Sequence, residues 1–315
     1  MAVIGLCVAL IPKGTDTPAE TMPPVAQTQE TAIPDTTLPK TQEPEQTNPP
    51  ETMPAIVPTT VPTVPATVPT EPPAPTPRYT LMEDEVVGSF YTEWIYTPVF
   101  GSQYRRTQIS SITFLASVEN APADSWDVSQ EQNGTVLAWV IPKGQMYDLY
   151  IAADGGVVAP ENCRKLFAGY DNLVRVDFNG AFDTSKVTNM RALFEKCENL
   201  REVDVSGFDT SNVTNMRAMF CNCRSLTEVD VSGFDTSKVT DMDGMFYYCS
   251  SLKKLDVSGF DTSNVEIMIR MFYNCWNLTD LDVSGFDVSK VTQYEEFMNS
   301  GRTINGRPWQ EFFRK

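Results

Sequence analysis

The chain has 315 residues, a formal net charge of −17 and a sequence pI near 4.4. That acidity argues against a nucleic-acid partner, which needs a basic patch, and against electrostatic attachment to anionic lipid. There is no histidine, which removes Ser-His-Asp and Cys-His nucleophile pairs and histidine zinc sites, and leaves paired carboxylates as the acid–base chemistry still open.

Residues 1–12, Met1 to Pro12, are apolar but too short to span a bilayer and lack the basic start of a signal peptide. They read as the remnant of an export signal or membrane anchor, with a plain apolar tail as the alternative; no sorting tail follows Phe313, so an anchor is expected only at the N-terminus. Residues 13–78 read as a stalk. Eighteen of the 23 prolines fall between Pro12 and Pro77, and so little apolar surface favours an extended or disordered chain. At about 3.1 Å per residue such a spacer reaches at most roughly 200 Å.

Composition changes at Tyr79, and residues 79–160 read as a β-rich N-terminal cap. Ile109–Phe114 alternates like a strand, and Thr135–Ile141 and Met146–Ile151 flank Pro142-Lys143-Gly144-Gln145 as a hairpin. Asn133-Gly134 and Asp154-Gly155-Gly156 supply turns.

Residues 161–300 are a repeat array. Phe182, Phe208, Phe234, Phe260 and Phe286 recur every 26 residues, each followed by Asp. Val187 to Val291, Cys197 to Cys275 and Leu200 to Leu278 keep the same phase. Within a unit, Leu200–Val205 has the Leu-x-x-Leu-x-Leu form of a short strand, Gly207–Ser211 turns the chain, and Met216, Met219, Phe220 and Cys223 fall at i, i+3, i+4, i+7. That spacing predicts a short helix with Thr214 as its N-cap. The expected fold is therefore an α/β solenoid, a right-handed leucine-rich-repeat-like coil of 26-residue strand-turn-helix units stacked over one apolar column. Leu166, Phe167, Tyr170 and Leu173 form an irregular first unit with Ala181 inserted. The last unit decays at Met298 and Gly301, and residues 301–315 are expected to lay Trp309 and Phe312 over the open end.

The motif Gly207 to Met216, followed by Met219-Phe220 and Cys223, resembles the repeat of BspA-like leucine-rich repeat surface proteins of bacteria, over roughly Phe100 to the C-terminus. The resemblance implies a secreted or surface-attached protein used in adhesion or host-protein binding. It also implies a strand-face site at Arg201, Glu202, Lys253, Lys254, Thr279 and Asp280.

The cysteines, in phase with Met216 and Phe220, are expected as reduced core residues, although stacked Cα atoms about 5 Å apart lie within bridging range. Asp183, Asp209, Asp235, Asp261 and Asp287 are expected to accept backbone N–H bonds in the turns. Asp177, Asp204, Asp230, Asp256 and Asp282 point outward, where like charges repel and a cation would relieve them; the glycine-rich signature of calcium solenoids is missing, so no metal or cofactor is expected. On the outer helical side, Glu195, Cys221, Tyr247 and Tyr273 share one column, and Glu198, Arg224, Ser250 and Trp276 another. Tyr247, Tyr248, Tyr273 and Trp276 are therefore the candidate binding residues, since Tyr and Trp anchor interfaces; rings lying flat as packing are the alternative. Five units span about 25 Å, so one face falls below the roughly 800 Å² per partner of a standard interface. The expectation is a monomeric, non-enzymatic module at the cell surface or outside the cell that binds an extracellular or host protein or glycan. The alternative is an envelope-associated hydrolase using Asp124, Asp127 and Asp148, with the repeats as a targeting module.

Overall fold

The computed structural model describes residues 79–83, 98–279, 281–304 and 307–314, all within the compact unit Pro69–Lys315. The anchor remnant and the stalk expected at 1–78 lie outside the described residues, as does Asp280.

The N-terminal part is built from strands β1 (Tyr79–Thr80), β2 (Ile109–Leu115), β3 (Trp126–Asp127), β4 (Leu137–Lys143), β5 (Met146–Ala152) and β6 (Val157–Val158). Strands β4 and β5 form the expected hairpin, pairing from Leu137↔Ala152 to Lys143↔Met146, so its tip is Gly144-Gln145. Gly144 sits at φ 66°, which glycine adopts without a Cβ clash. The array contributes β7 (Arg175–Asp177), β8 (Phe182–Asp183) and β9 (Glu202–Val203). One six-stranded sheet, ordered β3-β4-β5-β2-β7-β9, runs from the cap into the first units. Ile112, Phe114, Leu149 and Ile151 point into the core beneath it and are fully buried. The chain ends with the pair β10 (Thr303–Ile304) and β11 (Arg307–Pro308) and the four-residue helix α1 (Trp309–Phe312).

The expected α/β solenoid of strand-turn-helix units is overturned. Among the described residues the helical elements are one 3₁₀ turn, Arg106–Gln108, and α1, and the segment expected as a repeat helix is a run of turns. Met219, Cys221 and Cys223 donate their N–H groups three residues back, to Met216, Ala218 and Phe220, at 3.0–3.2 Å. The residues between them send theirs to the next unit: Met216 to Asp241 (3.0 Å), Ala218 to Asp243 (2.8 Å), Phe220 to Met245 (2.9 Å) and Asn222 to Tyr247 (2.7 Å). The chain enters the left-handed region twice per unit, at Ala218 (φ 56°) and Asn222 (φ 62°), then at Gly244 and Tyr248, then at Arg270 and Asn274. A helix would satisfy these N–H groups internally; here alternate ones join unit to unit. Turns that repeat every four residues bury the same positions as a 3.6-residue helix over two turns, so the side-chain spacing is shared by both conformations. Thr214 caps no helix; its hydroxyl donates to the Thr188 carbonyl of the preceding unit at 3.2 Å.

Single bridges at a 26-residue step, Asn189↔Asn215↔Asp241↔Ile267↔Gln293, keep the units in register. Phe167, Phe194, Phe220, Phe246 and Phe272 stack face to face with centroids 5.4–5.8 Å apart. Each of the thiols of Cys197, Cys223, Cys249 and Cys275 donates to a carbonyl of the preceding unit at 3.0–3.2 Å. All six described cysteines are buried and free; burial pushes the Cys275 thiol up to about 12 and raises the other five as well. A third column is threonine: Thr184, Thr210, Thr236 and Thr262 are buried, and each hydroxyl donates to the backbone carbonyl of the next unit's Asp at 3.0–3.1 Å. The column ends in Val288, in the last unit of the array.

At each end of the array an arginine bonds backbone carbonyls. Arg106, fully buried, donates to the carbonyls of Lys165 (2.9 Å) and Ala168 (2.6 Å) and lies 4.9 Å from the Tyr170 ring. Arg302 bonds the carbonyls of Cys275, Trp276 and Leu278. At the far end Met and Phe exchange columns: Phe297 meets Phe272 edge-on at 5.3 Å, and Met298 takes the stacking column. The closing rings are Trp309 and Phe313, both buried. Phe312, expected in that role, is half-buried, because Phe313 takes the stack on Tyr294 (4.5 Å) and the edge contact to Phe297 (5.0 Å).

Candidate binding surface

The turn run that replaces the helix has an outward side, and the side chains there change from unit to unit. The column starting at Glu195 continues through Cys221 to Tyr247 and Tyr273. Cys221 does not belong to an outer surface: it is buried at 8 % exposure beside Asn222, whereas Glu195, Tyr247 and Tyr273 in the same column are half-buried. Glu195 is half-buried, and burial pushes its carboxyl above the usual range against the pull of Lys165 and Lys196.

At Tyr247 the column becomes aromatic. Tyr247 stacks on Tyr273 at 6.2 Å and meets Tyr248 edge-on at 4.8 Å, both favourable ring geometries. The Arg224 guanidinium lies 5.6 Å over the Tyr248 ring. The ion pairs Arg217–Asp243 (3.0 Å) and Arg270–Glu296 (2.6 Å) lie in the same units. The structure therefore brings Tyr247, Tyr248 and Tyr273 together. Trp276 stands in the neighbouring column, 58 % exposed, held through its backbone carbonyl by Arg302.

Tyr248 carries a backbone cost. It sits at φ 61°, in a column whose other members are Lys196 (62°), Asn222 (62°) and Asn274 (64°). Asparagine tolerates left-handed backbone; a bulky ring there is an outlier, and such residues cost of order 1–3 kcal/mol. Arg224 and this strain were not read from the sequence. A tyrosine between Asn222 and Asn274 of the same column was the visible signal.

The two aspartate columns are bound within the protein. Asp183, Asp209, Asp235, Asp261 and Asp287 accept the N–H two residues on at 2.8–3.0 Å, as expected. The outward column behaves the same way, which corrects the expectation of unrelieved repulsion. Asp204 accepts from the Ser206 hydroxyl (2.6 Å) and amide (3.0 Å), and these bonds hold its carboxyl below the usual range against the weaker push from Asp230. Ser232 and Ser258 do the same for Asp230 and Asp256. On this strand side, beyond β9, bonds between units include those of the Thr227 N–H to Arg201 (3.2 Å) and the Lys253 N–H to Thr227 (3.1 Å). A groove of about 490 Å³ opens there, lined among others by Glu202, Asp204, Asp230 and Lys254.

The three carboxylates of the hydrolase alternative do not form one site. Asp148 accepts from Ser110, Ser111 and Lys143, while Asp124 and Asp127 line a separate cleft. Burial raises the carboxyls of Asp127 and Asp148, but their hydrogen bonds outweigh it and hold both below the usual range. A glycosidase acid needs the opposite shift.

A family model described as "Mycoplasma protein of unknown function, DUF285" matches residues 161–256 and 201–310. These overlapping segments cover the repeat array and run as far as residue 310. No curated protein and no solved structure matches the chain.

Proposed function

We propose that the chain is a non-enzymatic adhesion module, secreted or displayed at a bacterial cell surface on its Pro/Thr-rich segment, that binds an extracellular protein through Tyr247, Tyr248, Tyr273 and Trp276. The observation that carries the reading is the placing of Tyr248. The same backbone position is served by asparagine in the units on either side, so the ring is not required by the coil, and its contacts are with Tyr247 and Arg224 at the surface. Tyrosine, tryptophan and arginine are the residues enriched at energetic centres of interfaces. The repeat motif's resemblance to bacterial surface proteins supports the location. Among the described residues no helix is long and apolar enough to cross a membrane.

A patch on so short an array gives weak single contacts, and many copies on one surface would multiply them. The test is surface binding of the full chain to immobilised fibronectin, laminin and collagen. Tyr247→Ala combined with Tyr273→Ala is expected to weaken retention at least about tenfold, the scale of one interface anchor, with the unfolding midpoint kept. Unchanged retention by the double variant refutes the proposal.

A further inference from the structure

The segment between β3 and β4 carries an asparagine whose side-chain amide is surrounded by groups that its own loss would use. Asn133 and Gly134 are both exposed. The Asn133 Oδ1 accepts from the Thr135 hydroxyl (2.6 Å) and from the Thr135 N–H (3.2 Å). The Asn133 Nδ2 donates to the Glu131 carboxylate at 3.2 Å. Donors on one side of the amide and an acceptor on the other fix which atom is oxygen and which is nitrogen. The next N–H along the chain, that of Gly134, donates to the Asp127 Oδ2 at 2.8 Å. The segment is pinned at this point, because the Asn133 N–H donates to the Ser129 hydroxyl at 3.0 Å and Ser129 is itself bonded to Asp127.

A backbone nitrogen that follows asparagine can close a five-membered ring on the side-chain Cγ, and glycine has no Cβ to obstruct the approach. Gly134 sits at φ 76°, and the space where a Cβ would stand is open. Ring closure is helped by a base on the attacking N–H and by donors on the oxygen where negative charge develops. Asp127 supplies the first and Thr135 the second. Burial raises the Asp127 carboxyl, but the bonds from Ser129 and Gly134 outweigh it and keep the group ionised at neutral pH, able to take a proton. Asn179-Gly180, the other such pair among the described residues, lacks both aids. Its Nδ2 is tied to the Phe114 carbonyl at 3.1 Å. Among the described residues no donor meets its Oδ1 and no acceptor meets the Gly180 N–H.

We propose that Asn133 is a site of self-catalysed deamidation, in which Asp127 takes the Gly134 proton while Thr135 holds the charge that develops on Oδ1. The bond from the Gly134 nitrogen to Cγ forms and the bond from Cγ to Nδ2 breaks. The amide nitrogen takes a proton from water and leaves as ammonia, and Asp127 returns its own proton to solvent. Water then adds to either carbonyl of the succinimide and opens it to aspartate or isoaspartate. Water is the sole co-reactant, and the exposure of Asn133 supplies it. Either product adds a negative charge beside Glu131, and isoaspartate also lengthens the main chain between β3 and β4 by one carbon. The modification is separate from the tyrosine patch and does not depend on the adhesion reading.

The test is incubation of the full chain at pH 8, with peptide mapping by mass spectrometry to follow deamidation and isoaspartate at Asn133 and Asn179, in the folded protein and in the urea-unfolded chain. Asn133 is expected to convert at least about tenfold faster folded than unfolded, a modest share of what a positioned base supplies, and faster than Asn179 in the same folded sample. Asp127→Asn removes the base, and Thr135→Val keeps the shape and removes the hydroxyl donor. Each is expected to slow conversion about tenfold, less than a fully buried group of either kind contributes, because these groups meet water. Thr135→Ser keeps the hydroxyl and should keep the rate. Conversion of Asn133 no faster folded than unfolded, either Asp127→Asn or Thr135→Val converting as fast as the parent chain, or Thr135→Ser slowed as much as Thr135→Val overturns the proposal.

Discussion

Replacing Thr184 by valine tests how the units are joined. Thr184 is 2 % exposed, and its hydroxyl makes two bonds to one residue of the next unit: it accepts the Asp209 N–H at 2.8 Å and donates to the Asp209 carbonyl at 3.1 Å. Valine has the same shape, so no cavity opens and the loss is purely polar. Each buried backbone group left without a partner costs about 1–3 kcal/mol, and the extra buried methyl returns about 0.8 kcal/mol. Asp209 is itself exposed, so the two losses fall at the low end of that range and Thr184→Val should destabilise by about 1–2 kcal/mol. Thr210→Val, for which the donor bond to Asp235 is the contact between units, should cost about 1 kcal/mol. The chain contains its own control: Val288 holds this position in the last unit, half-buried against the core, and Val288→Thr should change stability by less than about 1 kcal/mol, the scale of one partly buried methyl. Urea unfolding of the full chain, with a shared slope, reads all three. A Thr184→Val protein no less stable than Val288→Thr would refute the idea that these hydroxyls tie the coils together.

Two further outcomes follow from the same geometry. Tyr248→Asn exchanges ring contacts for relaxed left-handed backbone, two terms of about 1 kcal/mol each and opposite sign; unfolding should shift by less than about 1 kcal/mol while matrix-protein binding falls, and a loss of several kcal/mol would show the ring to be core. The six described cysteines should resist iodoacetamide at pH 8 in the folded protein and react on unfolding, because burial holds each thiol protonated; mass-spectrometric mapping that finds Cys223 or Cys249 labelled in the native state would contradict their place in the core.

The unit length, its phase and its buried columns were legible in the sequence because they are side-chain properties: Phe220, Cys223 and Leu226 are all buried as their spacing implies. The backbone conformation between them was not. Whether the Phe220 N–H bonds to residue 216 or to Met245 of the next unit leaves no mark on the identity of Phe220 itself. The mark lies at the left-handed positions, where Gly244, Asn222 and Asn274 are poor helix residues but good turn residues. Thr214 was misread for the same reason, since a hydroxyl ahead of an apolar run satisfies a neighbouring coil as readily as a helix end. At the surface, the clustering of Tyr247, Tyr248 and Tyr273 was legible from column position, whereas the bond from Gly134 to Asp127 was not, because these two residues belong to no repeat and meet only in the fold.

The division of labour inside one unit explains where variation is tolerated. Stacked Phe rings, thiol-to-carbonyl bonds and the Thr column all face inward and join each coil to the next, so a change at any of them is felt by two units. The backbone of the column holding Glu195, Tyr247 and Tyr273 takes part in that joining through its carbonyls, which accept from Gly169, Asn222 and Tyr248 of the preceding unit and which every residue supplies. Its side chains are therefore free to change from unit to unit without loosening the stack. A surface needed only for solubility would be expected to fill such free positions with charge. Rings that adjoin one another across two units, one of them in backbone that asparagine holds more cheaply, depart from that expectation in the direction that recognition of a partner requires.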